Sequence, residues 1–178
     1  MASKNKVNKN LRWPELSPLR RAAIINKLSR LLIKHQAELA RTMAQEIGKP
    51  VKAGRHEVMI ASERVKAFCA QIPGFIADEK VHDDAHEESL VRFEPVGTVA
   101  VISPWNAPIF VSLANIIPPL LCGNRVIWKP SEYATKTGKA LAKIFKELER
   151  FGLPKGVFVV RYGGKEVGQK LVESDINA

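Results

Sequence analysis

Three short segments carry residues whose types and spacing could do chemistry. In Lys129-Pro-Ser-Glu132 the proline stiffens the chain, so a lysine donor and a carboxylate acceptor are held side by side. A carboxylate accepts from vicinal hydroxyls such as a ribose diol, and an ammonium donates to them. The same four residues equally suit a helix cap with a surface ion pair. Pro104-Trp105-Asn106-Ala107-Pro108 sets a side-chain amide between two prolines, a stiff position for an oxyanion donor or for a turn-forming asparagine. Gly164-x-x-x-Gly168 lets backbone approach a pyrophosphate at a helix N-terminus, or simply turns the chain from strand to helix. The three-glycine dinucleotide fingerprint G-x-G-x-x-G is absent.

Other reactive residue types are sparse. Cys69 and Cys122 lie 53 residues apart and make neither a disulfide framework nor a zinc pattern. His82 and His86 stand four apart among Asp83, Asp84, Glu87 and Glu88, a spacing that would suit metal ligation on a helix. Asp-Asp is a poor helix interior, so His82–Glu87 reads as an exposed acidic loop and no metal site is expected.

The elements around these segments fall into two halves. Ser17-Pro18 reads as a cap and first helical residue, followed by apolar positions at helical spacing from Leu19 to Ile47. That run is long for one helix, so a break is expected near His35-Gln36, with a stop at Gly48-Lys49-Pro50. A further helix is expected from Val51 to about Phe68, closed by Pro73-Gly74. From Ser89 the pattern changes: an alternating edge strand to Glu94, then Gly97–Ser103, a continuous apolar run of the kind buried on both sheet faces. An apolar helix through Leu121, a strand at Arg125–Lys129, a helix from Ala134 to Phe151, a strand at Gly156–Arg161 and a helix from Lys165 to Glu173 follow. This βαβαβα order predicts an α/β fold: a helical N-terminal segment followed by a parallel, Rossmann-like half-sheet. Ligands of such sheets sit beyond the carboxyl ends of the strands, which is where all three segments fall.

Composition narrows the class. The 178 residues are 46% apolar and 26% charged, which excludes a disordered chain or a low-complexity linker. The longest apolar run, Ile109 to Cys122, contains Pro118 and Pro119 and falls short of the roughly 20 residues a membrane helix needs. No signal peptide is readable, and a cytoplasmic location is expected. The formal charge of +10 sits mainly in residues 1–57, with 13 basic and 4 acidic side chains. Those basic residues follow a helical pattern with no aromatic interleaving, so a solvated helix face is favoured over nucleic-acid binding.

Order and spacing then tie the segments together. The strings G-x-V-x-V-I-S-P-W-N-x-P, P-P-L-L-C-G-N-x-V-I-W-K-P-S-E, G-L-P-x-G-V-F and G-G-K-E-V-G, in that order, resemble the aldehyde dehydrogenase superfamily. The upstream helix from Arg21, ending in Glu46-Ile-Gly-Lys-Pro50, is similar to another segment of that family. The resemblance covers about Trp13 to Ala178. It implies NAD(P)-dependent oxidation of an aldehyde to a carboxylic acid. Asn106 would donate its amide to the oxyanion of a thiohemiacetal, a contribution of about 3 kcal/mol to the barrier. It further implies that Lys129 and Glu132, with Ser131 between them, hold the cofactor's adenosine ribose. Ser103, Pro104 and Trp105 would line the cofactor path, and Gly164 and Gly168 would approach its adenine and pyrophosphate end. Glu132 beside the 2′ position would repel a 2′-phosphate, so NAD is expected, with NADP possible.

Departures from the family pattern matter as much. The family's nucleophilic Cys in G-Q-x-C and general-base Glu in E-L-G-G are absent, and Cys122 and Cys69 read as packing residues. Ala107 stands where an aromatic is usual. The chain therefore reads as truncated and inactive alone, with a non-catalytic dinucleotide-binding or scaffold remnant as the alternative. Residues 1–16 read as a flexible basic tail, 17–88 as the helical segment and acidic loop, and 89–178 as a partial NAD-binding domain. The complete enzyme would take a small aldehyde and form a homo-oligomer. The partial sheet would have an exposed edge and be prone to association.

Overall fold

A computed structural model of the chain describes residues 12–84, 86–174 and 176–178. Most of the expected tail lies outside the described residues, but its last part is no tail. Trp13–Glu15 form a 3-10 turn, and Trp13 is buried, donating its indole N–H to the Leu120 carbonyl at 3.0 Å. An aromatic with a polar edge can be buried where a carbonyl can accept its N–H, and the C-terminal end of a helix supplies one.

Helices fill the first half. Ser17 caps α1 (Pro18–Ile25) by accepting the Arg20 N–H at 3.3 Å. The break at His35 separates α2 (Lys27–Lys34) from α3 (Gln36–Ile47), and a second, milder break falls at Asn26. There the Ser29 hydroxyl donates to the Asn26 carbonyl at 2.7 Å, competing with the helix ladder. Gly48 ends α3 with φ +69°, a conformation that favours glycine. Pro50 then opens α4 (Val51–Phe75). This helix runs a further two turns past Phe68, because Pro73 sits in its last turns, where proline costs one hydrogen bond but already has a helical φ. Val58, Ala61 and Val65 of α4 are fully buried and share one core with Leu28, Leu32, Leu39 and Met43.

The acidic loop is shorter than expected. His82 and Asp83 belong to β1 (Glu79–Asp83), which pairs antiparallel with β2 (Glu88–Val91). The strand expected at Ser89–Glu94 is thus the second arm of this exposed hairpin. Among the described residues no group of three or more His, Cys, Asp or Glu side chains converges as a metal cage.

The second half is the parallel sheet. β3 (Thr98–Ser103), β4 (Arg125–Pro130) and β5 (Phe158–Val160) lie in the order β3-β4-β5, all parallel. They are linked by α5 (Phe110–Leu121) and α6 (Thr135–Leu148), and α7 (Lys165–Val172) follows β5. The Ser103 side chain meets α5, whereas Ile102 and its register partner Lys129 point to the other face, under α7. The expectation that β3 is buried on both faces is corrected here: Val101 and Ser103 are buried, but Ile102 remains 50% exposed. An eight-residue α7 covers only part of its face. The β3 edge away from β4 is hydrogen-bonded by Asn177 and Ala178, through Asn177 N–H to the Thr98 carbonyl and Ala100 N–H to the Ala178 carbonyl.

The two halves are stitched together by buried polar contacts as well as by the core. Arg21 is buried and donates to the carbonyls of Leu121, Pro14 and Leu16. A guanidinium at the C-terminus of α5 also sits at the favourable end of that helix's dipole.

Candidate functional site

The three chemistry-bearing segments all lie at the carboxyl ends of the parallel strands. At the end of β3, Ser103 is turned inward: its hydroxyl lies 2.7 Å from that of Ser112 and accepts the Trp128 indole N–H at 2.9 Å. The side chain that sequence reasoning placed on a cofactor path is thus spent inside the core. Pro104, Trp105 and Asn106 are exposed, and no hydrogen bond engages the Asn106 side-chain amide among the described residues.

That loop is held from outside the sheet. Lys49 donates to the Asn106 backbone carbonyl at 2.9 Å and is paired with the buried carboxylate of Glu57. Glu57 in turn accepts the N–H groups of Ile109 and Phe110 at 2.8 and 3.0 Å, the first unpaired donors of α5. One carboxylate therefore caps the helix and anchors the lysine that holds the loop.

At the end of β4, Lys129 is 4% exposed, yet its ammonium has only long contacts, 3.4 Å to the Glu132 carboxylate and 3.5 Å to the Pro130 carbonyl. Glu132 is open to solvent, and its own backbone N–H, followed by Lys129, holds its carboxyl below the ordinary carboxylate range. Ser131 caps the short turn Glu132–Ala134 by accepting the Tyr133 N–H at 3.3 Å. Glu46 does for α6 what Glu57 does for α5. It accepts the Lys136 and Thr137 N–H groups at 2.6 and 2.8 Å and the Thr137 hydroxyl at 2.8 Å.

At the end of β5, Gly164 caps α7 and Gly168 lies against the Lys129 stem. A Cβ on Gly168 would sit 3.6 Å from the Lys129 Cδ and Cε atoms, at ordinary van der Waals contact, so α7 lies directly over that side chain. The Glu166 carboxylate folds back to Gly164, where a Cβ would lie 3.2 Å from its Oε2. Lys129, Glu132 and Gly168 are thus brought together on the α7 face of the sheet. Trp105 joins the neighbouring loop in an open cleft of about 380 Å³, shared with Glu46, Ile47 and Tyr133.

Lys49, Glu57 and Glu46 were missed as site residues from sequence, although Glu46 and Lys49 sat inside a quoted motif. One signal was available for Glu57: it falls on the apolar stripe of α4 beside Val58, where a carboxylate needs a buried partner. Neither thiol is placed for chemistry. Burial pushes Cys69 up to about 12 and also raises Cys122, against the opposing pull of the Arg21 guanidinium.

A known family shares this arrangement. The sequence matches the model of the Aldehyde dehydrogenase family over residues 2–177. It is 36% identical over 168 residues to the NADP/NAD-dependent aldehyde dehydrogenase PuuC of Escherichia coli (strain K12), covering 93% of this chain and 33% of that protein. It is 34% identical to the N-succinylglutamate 5-semialdehyde dehydrogenase of Salmonella agona (strain SL483), covering 92% and 32% respectively. The fold superposes on a crystal structure of an NAD-dependent aldehyde dehydrogenase from Sinorhizobium meliloti with a TM-score of 0.83 and 31% identity, over 92% of this chain and 32% of that one. The chain spans about a third of the length of these relatives. With its strand order, strand-end loops and sequence in agreement, the chain belongs to the aldehyde dehydrogenase family.

Proposed function

We propose that this chain is the part of an NAD(P)-dependent aldehyde dehydrogenase that grips the adenosine end of the cofactor and presents the oxyanion amide. The observation that carries the reading is Lys129: a buried ammonium with only long contacts, beside an ionised Glu132 and under a glycine. Removing an ammonium from water without close acceptors is unfavourable, and a ribose diol between Lys129 and Glu132 would supply them. Gly164 and Gly168 stand at the start of α7, with Gly168 against the Lys129 stem. Because Glu166 already faces the N-terminus of α7, the neutral adenine fits there better than the pyrophosphate. Ser131 and Ser103 contribute through backbone and shape, since their hydroxyls are engaged elsewhere.

Lys129 and Glu132 would hold the dinucleotide by its ribose, and the bound group would supply the hydride acceptor for aldehyde oxidation. This chain's residues bind and polarise: Trp105 and Pro104 wall the path, and Asn106 donates its amide to the developing oxyanion. The nucleophile and the general base come from outside these residues, so the isolated chain binds without turning over. Glu132 favours NAD over NADP, because a carboxylate held ionised repels a 2′-phosphate. The whole protein is a homo-oligomer, a reading supported by the exposed hairpin of β1 and β2 with Val81, Leu90 and Val91 open to solvent.

Titrating the chain with NADH tests the reading. Saturable fluorescence enhancement is expected, weakened about 10- to 100-fold by Lys129→Met, the value of one charge-assisted hydrogen bond. Glu132→Gln should weaken NADH and narrow its advantage over NADPH. No saturable binding by the folded wild-type chain would remove the proposal.

A further inference from the structure

The helical segment reaches the Asn106 loop through a charged pair. Lys49 follows the left-handed Gly48 that ends α3 and precedes Pro50 that opens α4, so its backbone is fixed on both sides. Its ammonium is largely buried and bridges two acceptors, the Glu57 carboxylate and the Asn106 carbonyl. Asn106 has no other hydrogen-bonding partner among the described residues, and neither do its neighbours Pro104 and Trp105. Among the described residues, the hydrogen bond that holds the Asn106 peptide at the sheet mouth, beyond the strand itself and the start of α5, comes from Lys49.

We propose that Lys49, anchored by Glu57, is the positioning residue of the Asn106 loop, fixing through the backbone carbonyl the direction in which the Asn106 amide is presented. This rests on Asn106 being the oxyanion donor. A donor helps a developing charge only if it is aimed before the charge forms, and an exposed loop whose own side chains make no hydrogen bond among the described residues gains that aim from an outside anchor. Glu57 serves a double purpose. Its Oε1 caps α5 and its Oε2 holds Lys49, so the start of α5 and the Asn106 loop are locked to the same carboxylate.

The test uses ¹⁵N-labelled chain and backbone and side-chain relaxation at residues 105–107. In the wild type, Asn106 should be as ordered as β3, with an order parameter of about 0.85. In Lys49→Met it should fall below about 0.6, while the β3, β4 and α6 amides keep their wild-type values. Lys49→Arg keeps charged donors and should restore most of the order, which a merely volume-filling role would not show. Glu57→Gln keeps an acceptor for the Ile109 and Phe110 N–H groups but loses the charge facing Lys49. It should loosen Asn106 while leaving α5 intact, and it decides the matter if Lys49→Met does not fold. Unchanged order at Asn106 in the folded variants, or a loss in Lys49→Met that Lys49→Arg fails to restore, would overturn the proposal. An NADH titration on the same samples separates the two readings. Wild-type chain that binds no dinucleotide, yet loses Asn106 order in Lys49→Met, refutes the cofactor site and keeps the anchor.

Discussion

At the scale of single residues, the site is defined by which polar atoms have partners and which do not. Ser103 and Ser131 have theirs: one hydroxyl is bonded inside the core and the other caps a turn. Lys129 has only long contacts and the Asn106 amide none among the described residues, and these are the side chains left to meet a ligand. The thiols show the opposite condition from a nucleophile. With Cys69 pushed up to about 12 by burial, almost none of it is thiolate near neutral pH, and Cys122 is raised in the same direction. Iodoacetamide at pH 8 should therefore leave Cys69 unmodified in the native chain and alkylate it fully in urea, as read by mass spectrometry. Rapid native labelling of Cys69 would show that it is not held in the core.

At the scale of elements, the helical segment does more than cover the sheet. Glu46 and Glu57, eleven residues apart across the α3–α4 turn, cap the two helices that leave β4 and β3. Each carboxylate meets unpaired N–H groups and the positive end of a helix dipole. Glu46→Ala should lower stability by about 1–2 kcal/mol, the usual cost of losing a helix cap, seen as a lower urea midpoint with an unchanged slope. This layer was poorly legible in the sequence. The strands and their order were readable because β-branched runs and Gly/Pro punctuation are local signals, and Ser17, Gly48 and the His35 break were readable for the same reason. The strand-end loops could be located, but not the state of their side chains. Whether Ser103 faces a ligand or Ser112 is set by the register of β3 against α5, which no local pattern encodes. The length of α4 was underestimated because Pro73 was read as a stop, although a proline near a helix end leaves the rest of the turn in place. The caps by Glu46 and Glu57 are contacts across 50 to 90 residues of chain, visible only once the halves are docked.

At the scale of the whole molecule, the positive balance of +10 does not prevent the described carboxylates from being well paired. Glu147 is held below the ordinary carboxylate range chiefly by Lys34. Glu132 is lowered by its own backbone N–H and then Lys129, and Asp84 by the backbone N–H groups of His86 and Glu87. A group whose folded value is depressed contributes stability above its unfolded value and loses it as pH falls through the folded one. Stability should therefore be flat from pH 7 to about 5 and decline below about pH 4.5, as urea midpoints across that range would show. A chain whose stability rose on acidification would contradict the pairings.

Whether the three strand-end loops form one dinucleotide site is read most directly from the map of amide chemical-shift changes during titration of the labelled chain with NAD. The largest changes should fall at 103–106, 129–132 and 163–168, saturating together with a single dissociation constant. Changes confined to the basic faces of α1 to α3, or scattered with no common saturation, would contradict it.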